Sequence, residues 1–440
     1  MDFALPPRTQ ALRQQLLAFM DRYLLPHNAA WHASAQRGLY PPPFMEDLKA
    51  LAQEEGLWNL FLPALRSDEP GTRLSNLAYA PLAETMGRLP WAAEVFNCSA
   101  PDSGNMELLH RFGSVDQKER WLTPLLHGHI RSAFAMSEPD VASSDPTNLQ
   151  TTVRLDGDQW VIQGRKWFIT GVAHPLCRLL IVVCRHAANG EDDADDAHHQ
   201  HSLLLVPMDT PGVQVVRNIP VMHHLAPEGH CELLFREVRV PHSHLLGQWG
   251  HGFAMAQARL GPGRVHHCMR TIGQCELALE LAAERALERA AFGRRLGDFA
   301  NVQDWLAESR LEIDQARWLV LHTAWLLDQA AVTTAPTQTT PPAPALRAQV
   351  SAIKVVAARL QTRVVDRAMQ VFGAMGLSPD TPLAALWSWG RAMHLMDGPD
   401  EVHLRTVARH ELALARERAG SLSDYFTTPE QMATPPHIRA

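Results

Sequence analysis

The hydrophobic period of this chain changes twice along its length, and that double change orders its layers. Over residues 1–130 apolar side chains recur every three or four positions: Leu12, Leu16, Phe19 and Tyr23, then Leu48, Leu51 and Ala52 after the break at Pro41-Pro42-Pro43. This is the spacing of helices with one buried face, interrupted by a residue that cannot continue them. Over 131–246 the texture turns to strands. Thr151–Leu155 and Gln159–Ile162 flank Asp156-Gly157, a hairpin signal, and apolar runs return at 179–184, 203–206 and 213–216. Beyond 247 helical spacing resumes in two stripes, Leu306, Ile313, Val320, Ala324 and Leu327, then Val350, Ile353, Ala357, Leu360, Val364, Ala368 and Val371. Long stripes of this kind bury themselves against one another, so 247–415 is expected to form a helical bundle and 416–440 a tail. The fold class expected is α+β.

Composition narrows the partners. The 440 residues can bury a large core, and 40 Lys plus Arg against 47 Asp plus Glu leave a net charge of −7. That excess argues against nucleic acid and anionic membranes as partners. The cysteines at 98, 177, 184, 231, 268 and 275 form no C-x-x-C pair and read as reduced, mostly buried thiols. No signal-peptide pattern opens the chain and no run of 18 apolar residues occurs, so a cytoplasmic enzyme without an integral membrane segment is expected. Glu191–His201 is acidic and histidine-rich, Val332–Pro344 rich in Thr, Pro and Ala; both read as solvated loops. Neither His198, His199 and His201 nor the pairs His223-His224 and His266-His267 are assigned a metal. A dinucleotide-binding G-x-G-x-x-G after a strand is lacking, since Gly261-Pro262-Gly263-Arg264 is too short and sits in helical texture.

Five segments then stand in a definite order. Phe134-Ala135-Met136-Ser137-Glu138-Pro139-Asp140-Val141-Ala142-Ser143-Ser144-Asp145 is a run of small and hydroxyl residues through which backbone N–H groups can approach a ligand closely. Lys166-Trp167-Phe168-Ile169-Thr170-Gly171 pairs aromatic rings with a hydroxyl. Arg289-Ala290-Ala291-Phe292-Gly293, with Gln303, offers a guanidinium suited to phosphate. Gln370-Val371-Phe372-Gly373-Ala374-Met375-Gly376 is a glycine turn, and Leu395-Met396-Asp397-Gly398-Pro399-Asp400-Glu401-Val402-His403 places a carboxylate at a helix end. Taken singly, each has an ordinary structural explanation: a capping loop, a strand core, a solvated charge, a turn.

In this order, over about residues 75–410, the five resemble the signatures of the acyl-CoA dehydrogenase family. The resemblance implies an N-terminal helical domain, a central β-barrel-like domain and a C-terminal four-helix bundle, with FAD between the last two. It implies FAD contacts at Phe134, Met136, Ser137, Phe168, Thr170, Arg289, Phe292, Gln303, Gln370, Gly373, Ala374 and Glu401, and substrate contacts at Ser144, Arg264 and Gly398. Arg289 and Gln370 would reach a neighbouring subunit's FAD, so a homodimer or homotetramer follows.

The implied reaction removes the α-proton of an acyl-CoA thioester with Asp397 while the β-hydrogen leaves as hydride to the flavin, giving a trans-2-enoyl-CoA; electron-transfer flavoprotein would be the acceptor. The backbone N–H of Gly398 is the implied donor to the thioester oxygen. Desolvation is expected to raise the pKa of Asp397.

Two departures matter. The commonest family pattern has Glu where Asp397 stands, and the alternative base position on the first helix of the C-terminal domain is Gly263 here, which has no side chain. The combination of Met136–Asp145, Arg259–Arg270 and Asp397–His403 resembles a subgroup that keeps Asp as base, is sometimes fused to a phosphotransferase-like kinase module and acts on longer, branched or 4-hydroxy acyl-CoAs; medium- or long-chain acyl-CoAs stand beside these as substrates. Two alternatives stay beside the dehydrogenase: a flavin oxidase resembling nitroalkane oxidases, and a non-catalytic assembly subunit.

Overall fold

The computed structural model describes residues 4–187, 200–222, 226–333 and 343–418. His198, His199, His223-His224, residues 334–342 and the tail from 419 lie outside the described residues.

Among the described residues, eight α-helices precede the sheet: α1 (Pro7–Phe19), α2 (Asn28–Gln36), α3 (Met45–Glu54), α4 (Asn76–Gly87), α5 (Ala92–Val95), α6 (Asp102–Phe112), α7 (Val115–Gln117) and α8 (Thr123–Leu126). Side-chain caps set the starts of α4 and α7. Ser75 caps α4 by accepting from Ala78 N–H, and Ser114 and Gln117 form a reciprocal capping box at α7. The expected stripe of α1 is present, with Leu16 and Phe19 buried and Leu12 and Tyr23 packed against them.

Eight strands follow among the described residues: β1 (Arg131–Ala135), β2 (Thr152–Asp156), β3 (Gln159–Thr170), β4 (Cys177–His186), β5 (His201–Pro207), β6 (Val213–Asn218), β7 (His230–Pro241) and β8 (Leu245–Leu246). They form one sheet in the order β6-β7-β3-β2-β4-β5-β8, with β1 parallel to β4. The hairpin predicted at Asp156-Gly157 is present one residue later: Asp156 pairs with Gln159, and Gly157, at φ 63°, takes the first turn position. The long strand β7 escapes the sequence reading because Arg236 and Glu237 are both exposed and Glu237 has φ 49°, a bulge that breaks the two-residue alternation. His201 corrects an expectation. It opens β5 rather than closing a solvated loop and is buried, and likewise Pro344 begins a helix.

Strands β4 and β5 are covered on both faces. Leu179, Ile181, Val183, Leu203 and Leu205 join the core of the N-terminal helices, whereas Leu180, Val182, Cys184, Leu204 and Val206 join the core of the sheet. Their continuous apolar runs follow from that double cover.

The C-terminal helices are α9 (Gly252–Glu288), α10 (Ala300–Thr333), α11 (Pro344–Phe372), α12 (Leu383–Met393) and α13 (Asp400–Glu417); a short hairpin of β9 (Ala290–Ala291) and β10 (Arg294–Arg295) joins α9 to α10. Helix α11 is central, touching α9, α10, α12 and α13, and its predicted stripe from Val350 to Val371 is buried throughout. Helix α9 also crosses α4 at backbone distance. A Cβ added at Gly273 would lie 1.8 Å from the Glu84 carbonyl oxygen, and one at Gly87 2.1 Å from that of Arg270. Only glycines permit that crossing, which fixes where the middle of α9 sits. All six cysteines are free and buried, and no described helix is long and apolar enough to cross a membrane.

Candidate active site

The turn between α12 and α13 carries Asp397, and side chains from three other elements hold it. Asp397 has φ 54° and Gly398 φ 103°. A left-handed Asp is strained, and such strain persists only where surrounding groups over-determine it. Here Arg264 Nε, on α9, donates to the Asp397 carbonyl at 2.9 Å, and His403 Nε2 donates to the same oxygen at 3.2 Å. With Nε2 donating, His403 Nδ1 accepts from Ser351 Oγ at 3.2 Å. His394 Nδ1 bonds Asp400 Oδ2 at 2.7 Å, and the buried Lys354 ammonium donates to the Met393 carbonyl at the end of α12. A Cβ at Gly398 would meet His403 Nε2 at 3.0 Å, so the residue after the base is held close as well.

The Asp397 carboxylate sits in a cationic surround. Burial disfavours its charge, but the His267 ring beside it, through its polar contact, and the cations Arg259, Arg264 and Lys354 outweigh that and hold it below the ordinary aspartate range. This corrects the expectation of a raised pKa: desolvation acts upward as reasoned, and the cations on α9 and α11 reverse the sum. His267 is itself pushed down to about 3 by burial and by Arg270, so it is neutral beside the carboxylate, its Nε2 3.7 Å from Oδ2.

Asp397 opens on a cleft of about 3720 Å³ that is also lined by Phe134, Met136, Ser137, Ser144, Phe168, Thr170, Gly263, Arg264 and Gly398. The wall containing Phe168 is strained too. Phe168 has φ 51°, where the pairing of β3 with β7 shifts register between Lys166 and Ile169, and the residue is 44% exposed. An aromatic ring turned out of a strand into a cleft is a ready stacking platform. The Trp167 ring stands edge-on to it at 4.9 Å, the backbone N–H of Trp167 donates to the Ser137 carbonyl at 3.0 Å, and Thr170 Oγ1 lies 2.9 Å from His230 Nδ1.

The loop bearing Ser137 and Ser144 is anchored from beneath. Glu138 is buried, pairs with the fully buried Lys166 at 2.7 Å, and accepts from the N–H groups of Gln150 and Thr151 at 2.6 and 2.9 Å. Lys166 also donates to the Met136 carbonyl at 2.9 Å, so one ion pair ties the loop to β3.

The remaining sequence-derived positions do not join this cleft within one chain. Arg289 is exposed at the end of α9, and Phe292, at φ 49°, is 97% exposed on the β9–β10 hairpin. Gln303 donates to the Gly297 carbonyl at 2.8 Å; Gln370, Gly373 and Ala374 are exposed at the end of α11, and Glu401 is exposed in the first turn of α13.

The sequence motifs contain Arg259, His267, Arg270 and His403 but assign them no role, and they do not include Glu107. Arg259 lies 4.3 Å over the Phe134 ring and donates to Asn105 Oδ1 at 3.0 Å; Glu107, also on the cleft, is pushed up to about 7 by burial against the pull of Arg111 and Arg259. The signal for the α9 residues was present, since 259, 264, 267 and 270 fall along one helical face with Gly263.

Known proteins agree with this layout. The N-terminal, middle and C-terminal domain models of the acyl-CoA dehydrogenase family match residues 6–129, 133–238 and 250–412. A Mycobacterium tuberculosis protein named Probable acyl-CoA dehydrogenase FadE2 is 49% identical over 418 residues, 94% of this chain and 97% of that one. The chain belongs to the acyl-CoA dehydrogenase family. Human acyl-CoA dehydrogenase family member 11 is 44% identical over 373 residues, but the match covers 84% of this chain and only 45% of that protein. Thus the chain spans nearly all of the mycobacterial relative and about half the length of this animal one. Among solved structures, one from Mycobacterium abscessus, named as a candidate acyl-CoA dehydrogenase, superposes with TM-score 0.86 at 47% identity, covering 94% of this chain and 100% of that chain. Butyryl-CoA dehydrogenase from Megasphaera elsdenii superposes at 0.75 with 25% identity over the same shares. The acyl-CoA dehydrogenase fold of three regions, helical, sheet and helical, is therefore the fold of this chain.

Proposed function

We propose that this family member dehydrogenates an acyl-CoA thioester between Cα and Cβ, with Asp397 as the base. One observation carries the reading: a charged carboxylate on a strained, triply anchored turn faces the same cleft as the exposed Phe168 ring. Strain of this kind on a cleft wall is a mark of a working site. Asp397 would take the α-proton, and its depressed pKa keeps it ready as a base through mildly acidic pH. The Gly398 N–H would donate to the thioester oxygen, while Arg264 and His403 keep the base in place. Ser144, on the anchored loop, would contact the CoA portion.

The residues present fit FAD. Phe168 would stack on its ring, Thr170, Met136 and Ser137 would meet its polar edge, and Phe134 would line the space beside it. Bound FAD would supply the hydride acceptor. Arg289, Phe292, Gln303, Gln370, Gly373, Ala374 and Glu401, exposed and outside the cleft lining, would serve a partner subunit's FAD, which makes the working enzyme an oligomer. Electron-transfer flavoprotein would then reoxidise it. An Asp base would group the chain with the members acting on longer, branched or 4-hydroxy acyl-CoAs, and the polar groups of Asn105, Glu107 and Arg259 in or beside the cleft support an acyl tail bearing a polar group.

Anaerobic mixing of the holoenzyme with saturated, branched and 4-hydroxylated acyl-CoAs, followed by flavin absorbance, tests this. One class should bleach the flavin, and Asp397→Asn should retain FAD yet lose about 10²–10⁴-fold in reduction rate. Near-normal reduction by the variant would remove Asp397 as base and turn attention to Glu107. Flavin that no acyl-CoA bleaches would favour a nitroalkane-type oxidase or a non-catalytic subunit.

A further inference from the structure

Arg264 and His403 hold the backbone of Asp397, but neither holds its carboxylate. That group is shorter by one methylene than the glutamate common in the family, so its rotation matters more to where its oxygens reach. Among the described residues, His267 alone makes an ion-pair-distance contact with it, Nε2 to Oδ2 at 3.7 Å. The other ring nitrogen is committed. Arg270 Nη2 lies 3.2 Å from His267 Nδ1, and a guanidinium carries only donors, so Nδ1 must accept. A neutral ring accepting at Nδ1 bears its hydrogen on Nε2, the atom that faces Asp397.

Arg270 is itself fixed. Its Nη1 donates to the Cys98 carbonyl at 3.4 Å, and its own carbonyl is the atom against which Gly87 closes at the α4–α9 crossing. The charges facing the ring are Arg270, Arg259 and Lys354, with Asp397 opposite, and Trp389 flanks it at 6.2 Å. A protonated ring is disfavoured in that company, and a neutral donor is left.

We propose that His267 is a positioning residue: fixed in its Nε2–H tautomer by Arg270, it donates to Oδ2 of Asp397 and sets the rotation of the carboxylate toward the substrate's α-carbon. This rests on the reading of Asp397 as the base. The 3.7 Å separation closes to a hydrogen bond with a small turn of the carboxylate, as such contacts do when substrate arrives.

The test is anaerobic single-turnover reduction of the FAD-loaded enzyme by the acyl-CoA that bleaches it, as a function of substrate and pH. His267→Gln presents an amide N–H near the place of Nε2, and His267→Leu presents none. The leucine variant should retain FAD and bind acyl-CoA as before, while its limiting rate falls about 10–100-fold and its acid limb moves to higher pH. The glutamine variant should stay within about threefold of wild type. Should the leucine variant fail to fold, His267→Met replaces it. A donor-free variant as fast as wild type, or a glutamine variant as slow as the donor-free one with an unmoved acid limb, overturns the proposal. If Asp397→Asn is inactive while His267→Leu is unimpaired, only this inference falls; if Asp397→Asn reduces flavin normally, the reading beneath it falls.

Discussion

Replacing Arg264 by methionine separates anchoring of the base from recognition of the substrate. The guanidinium donates through Nε to the Asp397 carbonyl at 2.9 Å, and the second donor, His403 Nε2, is longer at 3.2 Å. A hydrogen bond to a charged group contributes about 1.5–3 kcal/mol. The left-handed conformation it holds, φ 54°, costs a non-glycine residue about 1–2 kcal/mol. The two are of the same size, so loss of the bond lets the turn leave its working conformation for much of the time. At tenfold per 1.36 kcal/mol, the limiting rate of flavin reduction should fall about 10–150-fold. Arg264 is also one of the cations that keep Asp397 ionised, so its removal should raise the pKa of the base and shift the acid limb upward. Stopped-flow reduction over a range of acyl-CoA concentrations measures both. A half-saturating concentration that stays put while the limiting rate drops marks an anchoring residue; a raised half-saturation with an unchanged limiting rate and acid limb would refute the anchoring argument and make Arg264 a substrate contact.

The remaining expectations concern the frame around the site. Gly273→Ala sets a Cβ 1.8 Å from the Glu84 carbonyl, so α4 and α9 must part, costing about 3 kcal/mol and lowering the melting temperature by roughly 5 °C in calorimetry; an unshifted melt would refute the crossing. Lys166→Met leaves the buried Glu138 carboxylate unpaired, about 3–5 kcal/mol, and should expose the 137–144 loop to limited proteolysis, which an unchanged digestion pattern would contradict. Stability should also fall with acidity. Burial first, and neighbouring cations next, push His266 and His267 down to about 3 and His201 and His403 to about 4. Unfolded, each would take up a proton below about pH 6.5, so the stability present above that pH is lost as pH falls toward 4. Thermal melts by circular dichroism at pH 7.5 and 5 measure it, and a flat profile would mean these rings are not held neutral.

Much of this protein is written in its local sequence. The two changes of hydrophobic period mark helices, sheet and helices in order, because a buried face must repeat every 3.6 residues in a helix and every two in a strand. The stripe from Val350 to Val371 and the doubly buried runs of β4 and β5 were legible for that reason. Where local geometry breaks the period, as at Arg236-Glu237 in β7, the strand was hidden. Asp397, Phe168 and the Ser137–Ser144 run were found as motifs, yet nothing in a motif says that Phe168 and Asp397 are both wrung into left-handed backbone toward one cleft.

The sign of the shift at Asp397 shows the limit best. Sequence reasoning sees a carboxyl bound for burial and infers a raised pKa; the structure brings Arg259, Arg264 and Lys354 around it from positions 138, 133 and 43 residues distant and reverses the outcome. Periodicity is a property of neighbours along the chain, and so the chain's own pattern determines its elements. Electrostatics sums over neighbours in space, which only the crossing of α4 with α9 at Gly87 and Gly273, and the packing of α11 beneath the turn, could decide.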